Sequence, residues 1–426
     1  MSKKGSTTTG TRDRAADPWG QFVRVSARQE GPSFYFERGP SPGRSARWAI
    51  YGFEPDSIFR LGGPSELAAF QDFLSRGGDP RKGISVGFAG FDAVGLFEPM
   101  LSAGAPGGSP FPLAEYHHYR NPTVVPLGAR PRASVSTARL PETAIGPVQD
   151  SSAFPGFSRS VGRLRKAILE GEAFQVVLAH RRERRIDGSL LPMVDRLRRT
   201  ERYAYLYYLR TDTAEIAGAS PESVVEVRAD HVAVSPIAGT RPLPPPPRGP
   251  EARLPLDRDP KELAEHRMLV DLARNDVGRV AEVGSVHLTR RETRVPYARL
   301  EHLVSRVVGR LAPGRTALDA LAATFPAGTV SGAPKIRATQ LLRREERTWR
   351  GPYAGAVGVL WGPREAEFAL VIRSAFAARG KVYTAAGAGI VHLSEPAREW
   401  KESLTKLAAV EAALTGERSP PPGRAP

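Results

Sequence analysis

Two pairs of glutamates stand three residues apart in this chain, Glu262 with Glu265 and Glu399 with Glu402, each in a stretch with helical spacing. On a helix that spacing puts both carboxylates of a pair on one face. Either pair alone would suit a solvated helix face. If the two faces met, four carboxylates would repel one another unless protonated or neutralised, and a bound cation is the usual remedy. Mg²⁺ prefers hard oxygen ligands and takes one or two protein carboxylates directly, so the other glutamates would act through water. Glu222, beside Pro221 in the segment GASPESVVEV, is a lone acid that as a pattern means nothing. His302 in EHLVSRV is a lone imidazole, a type more often satisfied structurally than used in chemistry.

A different kind of signal lies at Phe325 to Ala338, FPAGTVSGAPKIRA. Small residues at Ala327, Gly328, Thr329, Ser331, Gly332 and Ala333 run into Pro334 and Lys335. Main-chain N–H groups of such a stretch can approach a ligand closely, because glycine has no Cβ to hold it away. It reads as an anion-binding turn, with an ordinary glycine-rich turn as the alternative.

The elements that must position these residues are a mixture of strands and helices. Apolar runs between Gly and Pro turns, such as RWAIYGF at Arg47 and GISVGFAGFDAV at Gly83, indicate strands from Gln21 to about Pro126. Residues 158–170 carry Val161, Leu164, Ala167 and Ile168 at helical spacing, and Gly171 closes that helix. FQVVLAHRRER, YAYLYYLR, EIAGAS, SVVEVR and HVAVSPIAG read as successive strands. Helices follow at Lys261–Leu272, Ala317–Thr324 and about Ala397–Leu414. Strands and helices without strict alternation argue for an α+β protein. The organisation expected is a disordered tail at 1–18, an N-terminal subdomain at 19–127, a connecting segment at 128–157, a catalytic region at 158–415 and a disordered tail at 416–426, with a proline-rich loop from Leu243.

Composition narrows the function. The 426 residues contain 41% hydrophobic side chains and no apolar run long enough to span a membrane, and the N-terminus lacks the apolar core of a signal peptide, so a cytoplasmic protein without membrane contact is expected. The absence of cysteine excludes disulfides, thiolate metal sites and a thiol nucleophile. The net charge of +16 raises nucleic-acid binding, but no long Lys/Arg run interleaved with aromatics and no zinc-finger or RNP motif accompanies it. The charge therefore reads as arginine on solvated faces, with attraction of an anionic substrate.

The turn at 325–338 resembles the signature of the chorismate-utilising enzymes, in wording that of the anthranilate synthase component I branch. GEAFQVVLAHR, GASPESVVEV, PIAGTRP, KELAEHRMLVDLARNDVGRV, EHLVSRV, GAVGVLWG and AGAGIVHLSEPAREWKESLTKLAAV resemble the same family in the same order, covering about Phe154 to Leu414. The resemblance implies a two-lobed body with two large, mostly antiparallel sheets packed face to face and helices outside. It implies that Glu262, Glu265, Glu399 and Glu402 hold Mg²⁺, which in turn holds the ring carboxylate of chorismate. Glu222 becomes the general acid that protonates the departing 4-hydroxyl, with a pKa above its free value, and His302 assists loss of the enolpyruvyl group. Arg373 and Lys406 would pair with substrate carboxylates, and Thr240, Thr329, Tyr353 and Gly389 would complete the pocket. Ammonia would come from a glutamine amidotransferase subunit (component II) in a hetero-oligomer, because that chemistry needs a cysteine this chain lacks.

Two positions sort the branches. Gln175 stands where isochorismate and salicylate synthases carry a water-activating lysine, and Ala238 in PIAGT where aminodeoxychorismate synthases typically have a lysine. Both favour amination to anthranilate, with aminodeoxychorismate synthase and aminodeoxyisochorismate synthase as alternatives. Tryptophan-inhibited members usually carry LLES and NPSPY; the nearest counterparts here are FYFERG, with Arg38 in place of the serine, and RTERYAYLYY, without the prolines and serine. A cation in place of a small hydroxyl predicts weak or absent inhibition by tryptophan.

Overall fold

The computed structural model describes residues 17–39, 47–76, 83–102, 107–127, 139–150, 154–201, 203–242, 255–297 and 300–417. Of the tails expected at 1–18 and 416–426, residues 1–16 and 418–426 lie outside these residues, as does 243–250 of the proline-rich loop, while Pro18 opens a helix. Two large antiparallel sheets carry the fold. Along the first, the strands run Gly332–Ala333, Gln175–Asp187, Lys381–Ile390, Ser374–Ala378, Ala214–Ser220, Tyr205–Arg210, Ser33–Arg38, Arg47–Phe53 and Thr123–Leu127. The short strands Ala144–Ile145 and Gln149–Asp150 add to Gln175–Asp187. The second sheet runs Ile237–Pro242, Leu300–Arg310, His231–Val234, Ser223–Arg228, Glu365–Leu370, Ala356–Gly362, Ile84–Ala89, Ala114–Tyr119 and Ser57–Leu61, with His287–Tyr297 paired to Leu300–Arg310.

Strand periodicity explains how the layers assemble. In Ser33–Arg38 the side chains of Phe34 and Phe36 join Val86, Phe88, Phe368 and other residues of the second sheet in the main core, so this core lies between the sheets. Tyr35, one residue out of phase, joins a separate core with Trp19, Phe22, Val194 and Val410 under helices on the outer face. Strands of the 19–127 stretch extend both sheets, Ser33–Arg38 pairing with Tyr205–Arg210 and Ile84–Ala89 with Ala356–Gly362. Between the sheets, Arg38 is 2% exposed and forms a 3.0 Å ion pair with Glu367, whose Oε1 also accepts from the Tyr205 hydroxyl at 2.9 Å.

The helix Pro260–Gly278 begins where expected, because Pro260 suits its first turn and the Asp259 carboxylate accepts from the N–H groups of Lys261 and Glu262. It runs past Leu272 through the RND segment. Ala317–Thr324 starts on a capping box between Thr316 and Asp319. The helix predicted to close at Gly171 spans Phe154–Leu169, and Gly171 takes φ +83. The last helix spans Pro396–Thr415 and ends at Gly416, φ +80. Three helices lie where strands or no element were expected, Pro18–Ser26, Leu67–Arg76 and Leu191–Thr200. In the first and last a proline at the first turn and one apolar face toward the outer core decide the matter over a mixed local composition. Lys335–Glu346, directly after the glycine-rich turn, is a further helix the sequence reading did not separate from that turn.

Candidate active site

Glu222 sits on the short link by which the chain leaves the first sheet at Ser220 and enters the second at Ser223. Its backbone is fixed on both sides: the Ser220 hydroxyl donates to Glu222 O at 3.2 Å, and Leu370 N donates to the same oxygen at 3.0 Å. The carboxyl is buried and accepts a 2.7 Å hydrogen bond from the Thr329 hydroxyl. Burial raises its pKa to about 7, against which the Thr329 bond pulls only partway back. A carboxyl in that range is half protonated near neutrality and can act as a general acid.

Thr329 reaches Glu222 from the turn Gly328–Ser331, and packing dictates the glycines of that turn. A Cβ on Gly328 would collide with Leu272, and one on Gly332, φ +131, with the Gln175 carbonyl, whose strand pairs with Gly332–Ala333. Backbone approach to a neighbouring strand and helix therefore accounts for these two glycines. Arg350, which the sequence reading passed over, ties the turn down. Its guanidinium donates to Val330 O at 2.8 Å and Val177 O at 2.7 Å, and it pairs with Glu346, whose Oε1 also accepts from Ala179 N. The only trace in sequence is its place three residues before Tyr353, since a buried arginine looks like any other until its carbonyl partners are in position.

The other edge of the site is built on the strand Leu300–Arg310. His302 stands opposite Thr240 in the ladder, and its Nδ1 lies 3.0 Å from Gly239 O. A carbonyl can only accept, so Nδ1 carries the proton, and burial depresses the imidazole pKa, leaving the ring neutral at pH 7 with Nε2 as its basic nitrogen. Gly239, φ +62, lies under the Glu262 carboxylate, which a Cβ there would approach to 2.8 Å. This brings the first glutamate pair to the histidine. Ala238 is buried beside them, opposite Leu303.

The two glutamate pairs converge from separate helices, Pro260–Gly278 and Pro396–Thr415. The Glu265 pKa is raised by burial and by the negative charges of Glu262 and Glu402, while a hydrogen bond from the Gln175 amide opposes the shift. Glu399 is raised by burial, with Glu402 adding to it and a Ser394 hydrogen bond opposing it. Among the described residues no three acidic or histidine side chains close tightly enough to chelate an ion by themselves. The donor set fits Mg²⁺ all the same: it is all oxygen, it carries excess negative charge, and the ion completes its shell with water. Gln175 packs its amide against Gly389, where any Cβ would collide with it.

Two cations and a phenol complete the candidate pocket. Arg373 takes φ +53, a left-handed backbone unusual for arginine, and donates from Nη1 to Lys406 O at 2.8 Å. Burial lowers its pKa, offset by Glu201 and Tyr353. Lys406 Nζ donates to Gly387 O at 2.9 Å and pairs with Glu402 at 2.8 Å. Tyr353 is buried, its pKa pushed up to about 12 by desolvation. The structure thus gathers Glu222 with Thr329, His302 with Glu262, and Glu265 with Gln175 and Glu402. Glu201, at the end of the helix Leu191–Thr200 and electrostatically coupled to Arg373, had no signal in the sequence.

Comparison with known proteins gives the family of the chain. Residues 32–412 match the family of chorismate binding enzymes. Anthranilate synthase component 1 of Methanothermobacter thermautotrophicus is 37% identical, over 92% of this chain and 91% of that one. A 2-amino-4-deoxychorismate synthase of Streptomyces globisporus is 42% identical over 63% of this chain and 55% of its own length. The crystal structure of anthranilate synthase component I from Streptococcus pneumoniae TIGR4 superimposes with a TM-score of 0.72 at 31% identity, covering 87% of this chain and 94% of that one.

Proposed function

From the premise that the chain belongs to the chorismate binding enzymes and is an enzyme acting on chorismate, we propose that it makes anthranilate from chorismate and ammonia. Ammonia attacks ring carbon 2 while the 4-hydroxyl leaves, and pyruvate elimination then gives the aromatic ring. The observation that carries the reading is Glu222, a buried carboxyl with pKa about 7 fixed between the sheets beside Thr329. It gives its proton to the departing hydroxyl. His302, neutral with Nε2 basic, takes the ring proton in the elimination. Arg373 and Lys406 hold substrate carboxylates. Glu262, Glu265, Glu399 and Glu402 would hold Mg²⁺, which when bound neutralises and orients the ring carboxylate. Gln175 occupies its place with a neutral amide bonded to Glu265, so no lysine base stands there to activate water.

Without cysteine the chain does not release ammonia from glutamine through a thiol, and we assign that step to a separate amidotransferase subunit. Cytoplasmic placement and a role in tryptophan synthesis belong to the same reading. The likeness to a 2-amino-4-deoxychorismate synthase supports a second one, in which the reaction stops at amination. Incubation of the protein with chorismate, Mg²⁺ and an ammonium salt, with products identified by mass spectrometry, separates them. Anthranilate and pyruvate in equal amounts are expected. A product aminated at ring carbon 2 without pyruvate supports the second reading, and 4-amino-4-deoxychorismate as main product refutes both.

A further inference from the structure

A partly open cavity of about 30 Å³ borders Glu222 and Thr329. Glu222, Thr329, Thr324 and Asp276 line it together with apolar Leu269 and Ala273. A site needs on the order of 10–15 Å³ and two or more polar partners to hold a water molecule, so this one accommodates about two. Asp276 is 7% exposed and receives a 2.8 Å hydrogen bond from Lys335 Nζ, which also donates to Thr324 O at 3.0 Å. Both residues belong to the signature segments, yet neither has a part in the chemistry described above. Arg279, its side chain 47% exposed, contacts Glu98 at 2.6 Å, and both are electrostatically coupled to Asp276. The charged groups facing Asp276 are thus Lys335, Arg279 and Glu98, and they lead from the cavity toward solvent.

We propose that Asp276, held by Lys335, is a positioning residue that returns protons to Glu222 through water in this cavity. The inference rests on the reading of Glu222 as general acid. A buried acid that gives up its proton must recover it once per turnover. In the reaction the bond from ring carbon 4 to oxygen breaks with its electron pair on oxygen, which takes the Glu222 proton and departs as water. The Glu222 carboxylate then takes a proton from a cavity water as that water takes the proton of Asp276. Asp276, an anion stabilised by Lys335, regains a proton from solvent past Glu98 and Arg279. Burial holds Asp276 at about 6 and Glu222 at about 7, so the transfer runs slightly downhill between nearly matched groups.

The test is rapid-quench kinetics with ammonium, Mg²⁺ and chorismate at pH 6.5, where Glu222 begins protonated. Asp276→Asn removes the relay group, and Ala273→Val fills the cavity without touching any charge. Both are expected to complete the first turnover at nearly the unaltered rate and then slow at least tenfold, with KM for chorismate unchanged. A structural role would slow first and later turnovers alike. The relay is upheld if Ala273→Val shows a one-equivalent burst absent from the unaltered protein. Asp276→Asn must show it too where its circular dichroism matches. The relay is overturned if Ala273→Val keeps the unaltered steady-state rate or loses both phases together. An unaltered protein that forms no aminated product from ammonium defeats the underlying reading instead, and that control tells the two failures apart.

Discussion

Replacing Glu222 with glutamine should make the protein more stable at alkaline pH while stopping its chemistry. The folded-state pKa of about 7 lies above the ordinary 4.5 because the carboxyl is buried with a single hydroxyl donor. Between those values the folded chain binds more protons than the unfolded one, so stability falls as pH rises through that window and the loss is complete above about pH 8. At about 1.4 kcal/mol per pH unit, the difference between 4.5 and about 7 comes to about 3 kcal/mol, an upper bound because a relaxing site admits solvent. Glutamine has the same shape, carries no charge, and accepts the Thr329 hydroxyl through its amide oxygen. Urea unfolding in EDTA at pH 5 and pH 8 measures the effect. Glu222→Gln should gain about 2–3 kcal/mol over the unaltered protein at pH 8 and little at pH 5, and lose about 10²- to 10⁴-fold in amination. An equal gain at both pH values, or a loss at pH 8, would falsify the claim that the fold holds this carboxyl protonated.

Further outcomes follow from other parts of the site. Glu265→Gln and Glu402→Gln should each abolish Mg²⁺-dependent turnover while leaving the circular dichroism spectrum intact; near-normal activity of both at low Mg²⁺ would remove the metal assignment. Free glutamine should support no turnover by this chain alone and should do so once an amidotransferase subunit is added, so glutamine-driven product from the pure chain refutes the proposed division of labour. Tryptophan should inhibit weakly or not at all, because Arg38, paired with Glu367 and backed by Tyr205, fills the space between the sheets at the position of the usual serine. Half-inhibition at low micromolar tryptophan in the ammonia-dependent assay would show that a pocket forms regardless.

What the sequence made legible was periodic or worded. Strand alternation and helix caps announced most elements of residues 158–415, and Glu222, His302 and the glutamate pairs were singled out because their surrounding segments resemble a family. Their chemistry was not visible in the same way. Nothing about the dipeptide Pro221–Glu222 says that its carboxyl lies where one sheet hands the chain to the other, and that placement is what raises its pKa. Arg350 and Glu201 were missed for a related reason, since Arg350 meets the carbonyl of Val177, 173 positions away, and Glu201 meets the charge of Arg373, 172 positions away. The Lys335–Asp276 pair joins residues separated by 59 positions, and only the packing of the turn at 325–338 on the helix Pro260–Gly278 brings them together. Pro18–Ser26 escaped because a short amphipathic helix next to aromatic strands has the same composition as they do.

The interleaving of early and late strands fixes when this protein can fold. Ser33–Arg38 pairs with Tyr205–Arg210, and Ile84–Ala89 with Ala356–Gly362, so both sheets remain open on one side until most of the chain exists. At about 5–20 residues per second, the first of these strands waits on the order of ten to thirty seconds on the ribosome for its partner. During that time its hairpin with Arg47–Phe53 is available but its other edge is bare. Such non-local closure is slow in any chain. A nascent fragment ending before Tyr205 therefore presents an aromatic edge strand to whatever lies nearby, and that edge stays open to wrong pairing until the second half of the chain arrives to cover it.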